Sequence, residues 1–559
     1  MRRVSIDQRV FLPVLAVVIG AGVLVVASRW LTGLPARHGS AGERAANTDA
    51  AVFATQTAGL PEARPAETVE LKDGDTYDLT ARIVKKMING QAVKMLAYNG
   101  SVPGPLIKVP QGAEITVNLT NNSDVETTAH SHGVRLDNAF DGTPPLTQEA
   151  IPIGGTFTYK LKFPDAGMFW YHPHIREDYA QESGLYGNFL VVPAEVAYWS
   201  PVNREEVLMI DDILLENGRL AAFSTTGADR TLMGRFGNTM LVNGETNYKL
   251  QAKQGEVVRY YITNTANTRT FNLAIPGAKM KLVGADSSKY ERETFIDSTI
   301  IGPSERVIVE VLFDKPGAFT LRHKTPEKIY TLAAITVSAD RAVPSYAAQF
   351  NTLRANQDVI ADIDPFRAAV AKQPDKNLTM TIDMTPLRQG SAGQVGMVSI
   401  GDMGHGGHMM PDGTMMSGSM MNGSEGPIEW EDDMAMMNQM STKENIQWKI
   451  TDQDTGTSNM DIDWNFNVGD KVKIKIFNDP DSMHPMQHPV HFHGQRLLML
   501  SKDGVKNGNL VWKDTVLVGS GETVELLIDM SNPGDWMAHC HIAEHLEDGM
   551  MFSFKVNES

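Results

Sequence analysis

The 559-residue sequence predicts an all-β chain of three consecutive β-sandwich domains, and two recurring landmarks carry that prediction. The first is a strand motif: Gly112-Ala113-Glu114-Ile115-Thr116-Val117-Asn118-Leu119-Thr120-Asn121 is matched by Gly255 to Asn264 and again by Gly469 to Asn478. Each copy is a glycine, an alternating run rich in β-branched residues, and an asparagine nine positions after the glycine, the pattern of a half-buried antiparallel strand. The second landmark is a turn before another strand: Asp165-Ala166-Gly167, Lys315-Pro316-Gly317 and Asn532-Pro533-Gly534. A chain this long exceeds what one core holds. The sandwiches are expected at 66–197, 203–340 and 377–559, with 341–376 as a linker.

Ahead of them, Arg2, Arg3 and Arg9 precede an uncharged run from Val10 to Ala27, followed by Ser28-Arg29-Trp30. Residues 1–30 read as a signal sequence or a membrane anchor. The run is long for a signal-peptide core and just long enough to span a bilayer, which favours an uncleaved anchor at 10–27. The expected location is therefore periplasmic or otherwise extracytoplasmic. Residues 31–65, rich in Ala, Gly, Thr, Glu and Pro, read as a flexible tether. A formal charge of −17 argues against nucleic acid as a partner. The single cysteine excludes an internal disulfide.

That cysteine belongs to the last of four clusters: His130-Ser131-His132, His172-Pro173-His174, His488-Pro489-Val490-His491-Phe492-His493, and His539-Cys540-His541 with His545 and Met550 following. They hold ten of the fifteen histidines. Residues i and i+2 of a strand share a face, so each His-x-His presents two imidazoles in one direction and Cys540 points to the other side. One metal is then expected behind the strand and a cluster in front, joined by the Cys540 backbone. Behind it, His488, Cys540, His545 and Met550 form the two-imidazole, thiolate and thioether set of a blue-copper electron-transfer centre. Structural zinc prefers more thiolates in compact CxxC spacing. In front, eight histidines without a thiolate suit several coppers. Counted from the landmark glycine, the middle copy has Arg322, His323 and Lys324 in the corresponding slots, and Thr270-Phe271-Asn272-Leu273 where the others have His-x-His. Its expected task is to join the outer two so that their sites face each other.

With these motifs in their order, the chain resembles the three-domain multicopper oxidases, the family of laccases and bacterial copper-efflux oxidases. The resemblance covers about residues 66–340 and 440–559, with Tyr98-Asn99-Gly100, Pro103-Gly104-Pro105, Asp141-Gly142-Thr143-Pro144 and Gly184-Leu185-Tyr186-Gly187 as supporting signatures. It implies three consecutive cupredoxin-like Greek-key sandwiches and four copper ions. The type 1 copper would take His488, Cys540, His545 and Met550. The type 2 copper would take His130 and His491, and the type 3 pair His132, His172, His174, His493, His539 and His541. Family chemistry implies four one-electron oxidations at type 1, transfer through Cys540, and reduction of O2 to water at the trinuclear cluster, with Asp141 as a proton relay. Ser131 replaces a common Trp without removing a ligand. Leu546 stands where many bacterial relatives carry an acid, and Glu547 beside it is expected to point elsewhere.

Residues 403–440 hold eleven of the thirty methionines, within an insert of about 386–442. The pairs Met409-Met410, Met415-Met416 and Met420-Met421 lie among Gly, Ser and Asp, without the period of a core stripe. Soft thioethers select Cu(I), so these six residues are the candidate substrate site. The expected function is a monomeric multicopper oxidase that uses O2 and oxidises Cu(I) for copper tolerance. The alternatives are a laccase acting on small phenols, a Mn(II) or Fe(II) oxidase, and a copper-binding scaffold without activity.

Overall fold

A computed structural model describes residues 52–385 and 426–558; the candidate anchor and the six paired methionines from Met409 to Met421 lie outside them. Among the described residues, no helix is long and apolar enough to cross a membrane.

The threefold sequence repeat is a threefold repeat of sheet topology. The recurring strand is Glu114–Asn122, Glu256–Asn264 and Lys471–Asn478. Each copy runs parallel to an earlier strand (Thr76–Ile88, Arg204–Ile213, Lys376–Met384) and antiparallel to a later one (Thr156–Lys162, Arg306–Phe313, Thr523–Asp529). The closing asparagine has one job in all three copies. The Nδ2 amides of Asn121, Asn264 and Asn478 each donate to two carbonyls, Val125 and Ile151, Arg269 and Ile301, Met486 and Val518, and so pin the loop that leaves the strand.

The opposite sheets also share an order. In the first sandwich, Leu106–Pro110 is followed laterally by Gly187–Val192, Gly167–His172 and His130–His132. In the third, Trp464–Asn467 is followed by Met551–Asn557, Gly534–Cys540 and His488–Phe492. The middle copy runs Tyr248–Gln254, Ile329–Arg341, Gly317–Lys324 and Phe271–Ala274. The histidine motifs of the outer copies therefore occupy equivalent neighbouring strands.

Three expectations need correcting. Alternating burial holds for Glu114–Asn122, but Glu256–Asn264 is buried at every position. Its second face is covered: Tyr261 packs with Met168 and Leu190 of the first sandwich, and Arg259 pairs with Glu205 and Glu310. The linker 341–376 is largely helical, with Ala347–Asn351, Gln357–Ile363 and the 3₁₀ turns Asp364–Ala371. Val359, Ile363 and Phe366 form a small core with Leu498, Leu510 and Trp512, which fastens the linker to the third sandwich. The tether expected over 31–65 gives way to ordered chain from Val52 onward. Phe53 stacks on Tyr179 with centroids 3.8 Å apart, and the N–H groups of Ala63 and Arg64 donate to Lys85 and Gly100. Strand edges have spare acceptors, and this segment satisfies them.

Candidate metal centre

Strand register assembles the front cluster. His130 pairs directly with His172, and His491 with His539, so their side chains share a face. The two faces meet, with His130 and His493 rings 4.0 Å apart and His132 stacked on His491 at 3.8 Å. Eight histidines from two sandwiches converge there, each 7 % exposed or less.

Their hydrogen bonds show what the cluster is built to hold. The Nδ1 atoms of His130, His172, His491 and His539 lie 2.7–2.9 Å from the carbonyls of Asp141, Pro173, Asp514 and Cys540, and His493 Nδ1 lies 2.9 Å from Asp141 Oδ2. A carbonyl can only accept, so these nitrogens carry the proton and Nε2 keeps its lone pair. The Nε2 atoms of His130, His172, His174 and His491 are buried without a partner, while those of His493 and His539 face each other at 3.0 Å. Burial, reinforced by neighbouring imidazoles, holds His132, His172, His174, His491, His539 and His541 well below the usual histidine range, and His493 at about 4. Neutral, oriented and converging donors are the requirement for binding metal ions. Three triads lie within metal reach: His130/His132/His491, His132/His172/His541 and His174/His493/His539.

Cys540 faces away from this cluster. Its Sγ lies 3.4 Å from His488 Nδ1 and 3.8 Å from His545 Nδ1, and all three residues are fully buried. The single helical turn Ala543–Glu547 brings His545 back beneath the strand, and Met550, also fully buried, accepts the Cys540 N–H through its carbonyl. Burial pushes the thiol far up, so it ionises only with a cation to replace the proton. Trp448 stacks on His545 at 4.2 Å and is locked by its indole N–H to Thr231 O. Beside this pocket, His484 Nε2 lies 2.9 Å from Met233 Sδ of the middle sandwich. Both donor sets therefore fit copper: imidazoles alone in front, and thiolate with imidazoles behind.

Asp141 sits where it can act on the front cluster, with Oδ2 on His493 and Oδ1 3.4 Å from His130. Burial works against its charge, but the two imidazoles hold its carboxyl well below the ordinary range. Glu547 accepts the backbone N–H of Glu177 at 2.9 Å.

Sequence reasoning missed Glu177 and Asp514. Glu177 is fully buried with both carboxylate oxygens unpartnered, 3.8 Å from His172 Nδ1 and 3.6 Å from His174 Nε2, and burial pushes its pKa well up. Asp514 lies 3.0 Å from His132 Nε2. Only Glu177 stands close to a motif in sequence, three residues after His174. Asp514 is flanked by no motif and is brought in by the pairing of Thr515 with His491.

Three family models described as multicopper oxidase match residues 81–196, 211–341 and 429–559. The multicopper oxidase MmcO of Mycobacterium tuberculosis is 26% identical over 511 residues, covering 85% of this chain and 86% of that protein. Copper resistance protein A of Escherichia coli is 25% identical, with 87% and 93% covered, and laccase-1 of Botryotinia fuckeliana is 26% identical, with 86% and 82% covered. Among solved structures, a multicopper oxidase from Campylobacter jejuni shares the fold at a TM-score of 0.64 and 23% identity, over 91% of this chain and 99% of that one. With a multicopper oxidase model on each of its three sandwiches, the chain belongs to the multicopper oxidase family and is a copper-dependent oxidoreductase.

Proposed function

We propose that this enzyme passes four electrons, one at a time, from Cu(I) to O2, yielding two waters, and that it serves copper tolerance. His488, Cys540, His545 and Met550 would hold the type 1 copper. His130 and His491 would hold type 2, with His132, His172, His541 and His174, His493, His539 holding the type 3 pair. Copper bound in these sites supplies one-electron redox chemistry and the reduction of O2.

The observation that carries this reading is the back-to-back arrangement on one strand end. Cys540 serves the rear pocket while His539 and His541, its covalent neighbours, serve the front, so the electron route is a few bonds of backbone. The same backbone is rigidly held, because the Cys540 carbonyl accepts from His539 Nδ1 and its N–H is bonded to Met550. Asp141 is placed to keep His493 oriented and to exchange protons with the front site.

Cu(I) as reductant rests on the eleven methionines of 403–440, on the buried His484–Met233 contact beside the rear pocket, and on relatives named copper resistance protein A. The N-terminal arginines and the apolar run 10–27 support export and anchoring outside the cytoplasm. The test is O2 uptake by copper-loaded protein, intact and lacking 403–440, with Cu(I) and with a phenol. Fast Cu(I) turnover that collapses on deletion is expected. Cu(I) turnover indifferent to the deletion, with strong phenol turnover, would instead mean a laccase.

A further inference from the structure

His132 is oriented differently from the histidines around it. His130, His172, His491, His493 and His539 are anchored through Nδ1 and turn Nε2 inward. In His132 the anchored atom is Nε2, 3.0 Å from Asp514 Oδ1 and 3.0 Å from Thr515 Oγ1, and Nδ1 is the buried nitrogen without a partner. Its metal-facing lone pair therefore depends on an acceptor in the third sandwich, although His132 belongs to the first.

That acceptor is itself held by the middle sandwich. Arg306 is fully buried, and its guanidinium grips both carboxylate oxygens of Asp514, Nη1 at 2.8 Å from Oδ1 and Nη2 on Oδ2. Two further donors are fixed too: Nε to Met168 O at 2.9 Å in the first sandwich, and Nη1 also to Ser304 O at 2.9 Å. A planar five-donor fork can make these four bonds at once, and a three-donor lysine cannot. Space has been kept for the pair. Gly133, next to His132, has φ +81°, and a Cβ there would lie 2.3 Å from Asp514 Oδ2 and 2.7 Å from Arg306 Nη2.

We propose that Arg306 is a positioning residue of the front metal site: through Asp514 it fixes His132 with Nε2 protonated and Nδ1 offered to metal. The middle sandwich, which supplies no ligand, thus controls the geometry of one. The inference rests on the front cluster being a copper site.

The test compares wild type, Arg306→Lys and Asp514→Asn by copper titration of the apoprotein, electron paramagnetic resonance of the loaded protein, and thermal unfolding of the apoprotein. Arg306→Lys keeps the buried charge and loses the fork. The expected result is front-site copper affinity lower by about 10- to 100-fold, with an altered front-site resonance and an unchanged blue absorbance from the Cys540 site. Unchanged front-site affinity and resonance would overturn the proposal. So would equal loss at both sites in step with a fall in apoprotein stability, which marks a purely structural role. If Arg306→Lys does not fold, Asp514→Asn is judged by the same criteria, since its amide still accepts from His132 but no longer matches the fork. A wild-type front cluster that takes up no copper would sink the functional reading itself, an outcome separate from either variant's.

Discussion

The rear pocket and the front cluster lie on opposite sides of one strand end, yet they are built differently. The rear takes all its donors from one sandwich, between His488 and Met550, and its shape is set by local turns and by Trp448. The front takes donors from the first and third sandwiches and borrows Arg306 from the second. A site built within one domain survives small shifts between domains, whereas one shared by three does not. The difference is one of assembly: the donors behind the strand are gathered within one sandwich, and those in front only when the walls of three are brought together.

The largest expected effect comes from the residue common to both. Cys540→Ser removes the thiolate and the link, so O2 uptake should fall to the uncatalysed background while copper counting shows the front still filled. Retained turnover would mean that electrons bypass the strand. Next, Asp141→Ala strips the partner from His493 and should lower front copper affinity by about 10- to 100-fold without touching the blue absorbance. An effect of equal size behind would break the separation of the sites.

Trp448→Leu should do the reverse. It leaves a hole against His545 that costs about 3 kcal/mol in urea unfolding and shifts the rear spectrum alone. Glu429 lies one contact from the rear: its backbone exchanges two hydrogen bonds with Gln487, the neighbour of His488. Burial, reinforced by Asp433, raises its carboxyl to about 7. The folded state therefore binds this proton more tightly than the unfolded one. Its contribution is complete below the ordinary carboxyl range and is lost as pH rises through about 7. The slope, worth up to about 3 kcal/mol, should vanish in Glu429→Gln when urea midpoints are compared at acid and neutral pH.

The smallest effect is expected at His323, which stands six residues after its landmark glycine, as Cys540 does in the third copy. Its Nδ1 accepts from the Asn272 N–H at 3.0 Å and its ring lies parallel to Tyr330, while its buried Nε2 has no partner. His323→Phe should cost about 1 kcal/mol for the orphaned N–H and change no copper stoichiometry. A lost copper would show that the middle sandwich still binds metal.

Much of this was legible in sequence because period-two spacing converts directly into facing. His-x-His puts two rings on one side, and the residue between them, Cys540, has nowhere to go but the other. The repeat was legible through its asparagines because each closes the same corner by the same amide. What stayed hidden depends on partners far along the chain. Nothing near Lys513-Asp514-Thr515 announces a histidine partner, and nothing near Arg306 announces Asp514. The burial of Glu256–Asn264 was hidden for the same reason, since alternation reports one sandwich's own core and not a second sandwich packed on its outer face.

His132 and Asp514 are separated by 382 positions. Contacts so distant form late, after local strands and hairpins are in place. During synthesis, both sites therefore wait for almost the whole chain, the front cluster for His541 and the rear pocket for Met550, but only the front must also bring separate sandwiches together. The two sites therefore differ in the last step of their assembly: the rear donors are gathered by one sandwich, and the front cluster is complete only when the first and third sandwiches dock.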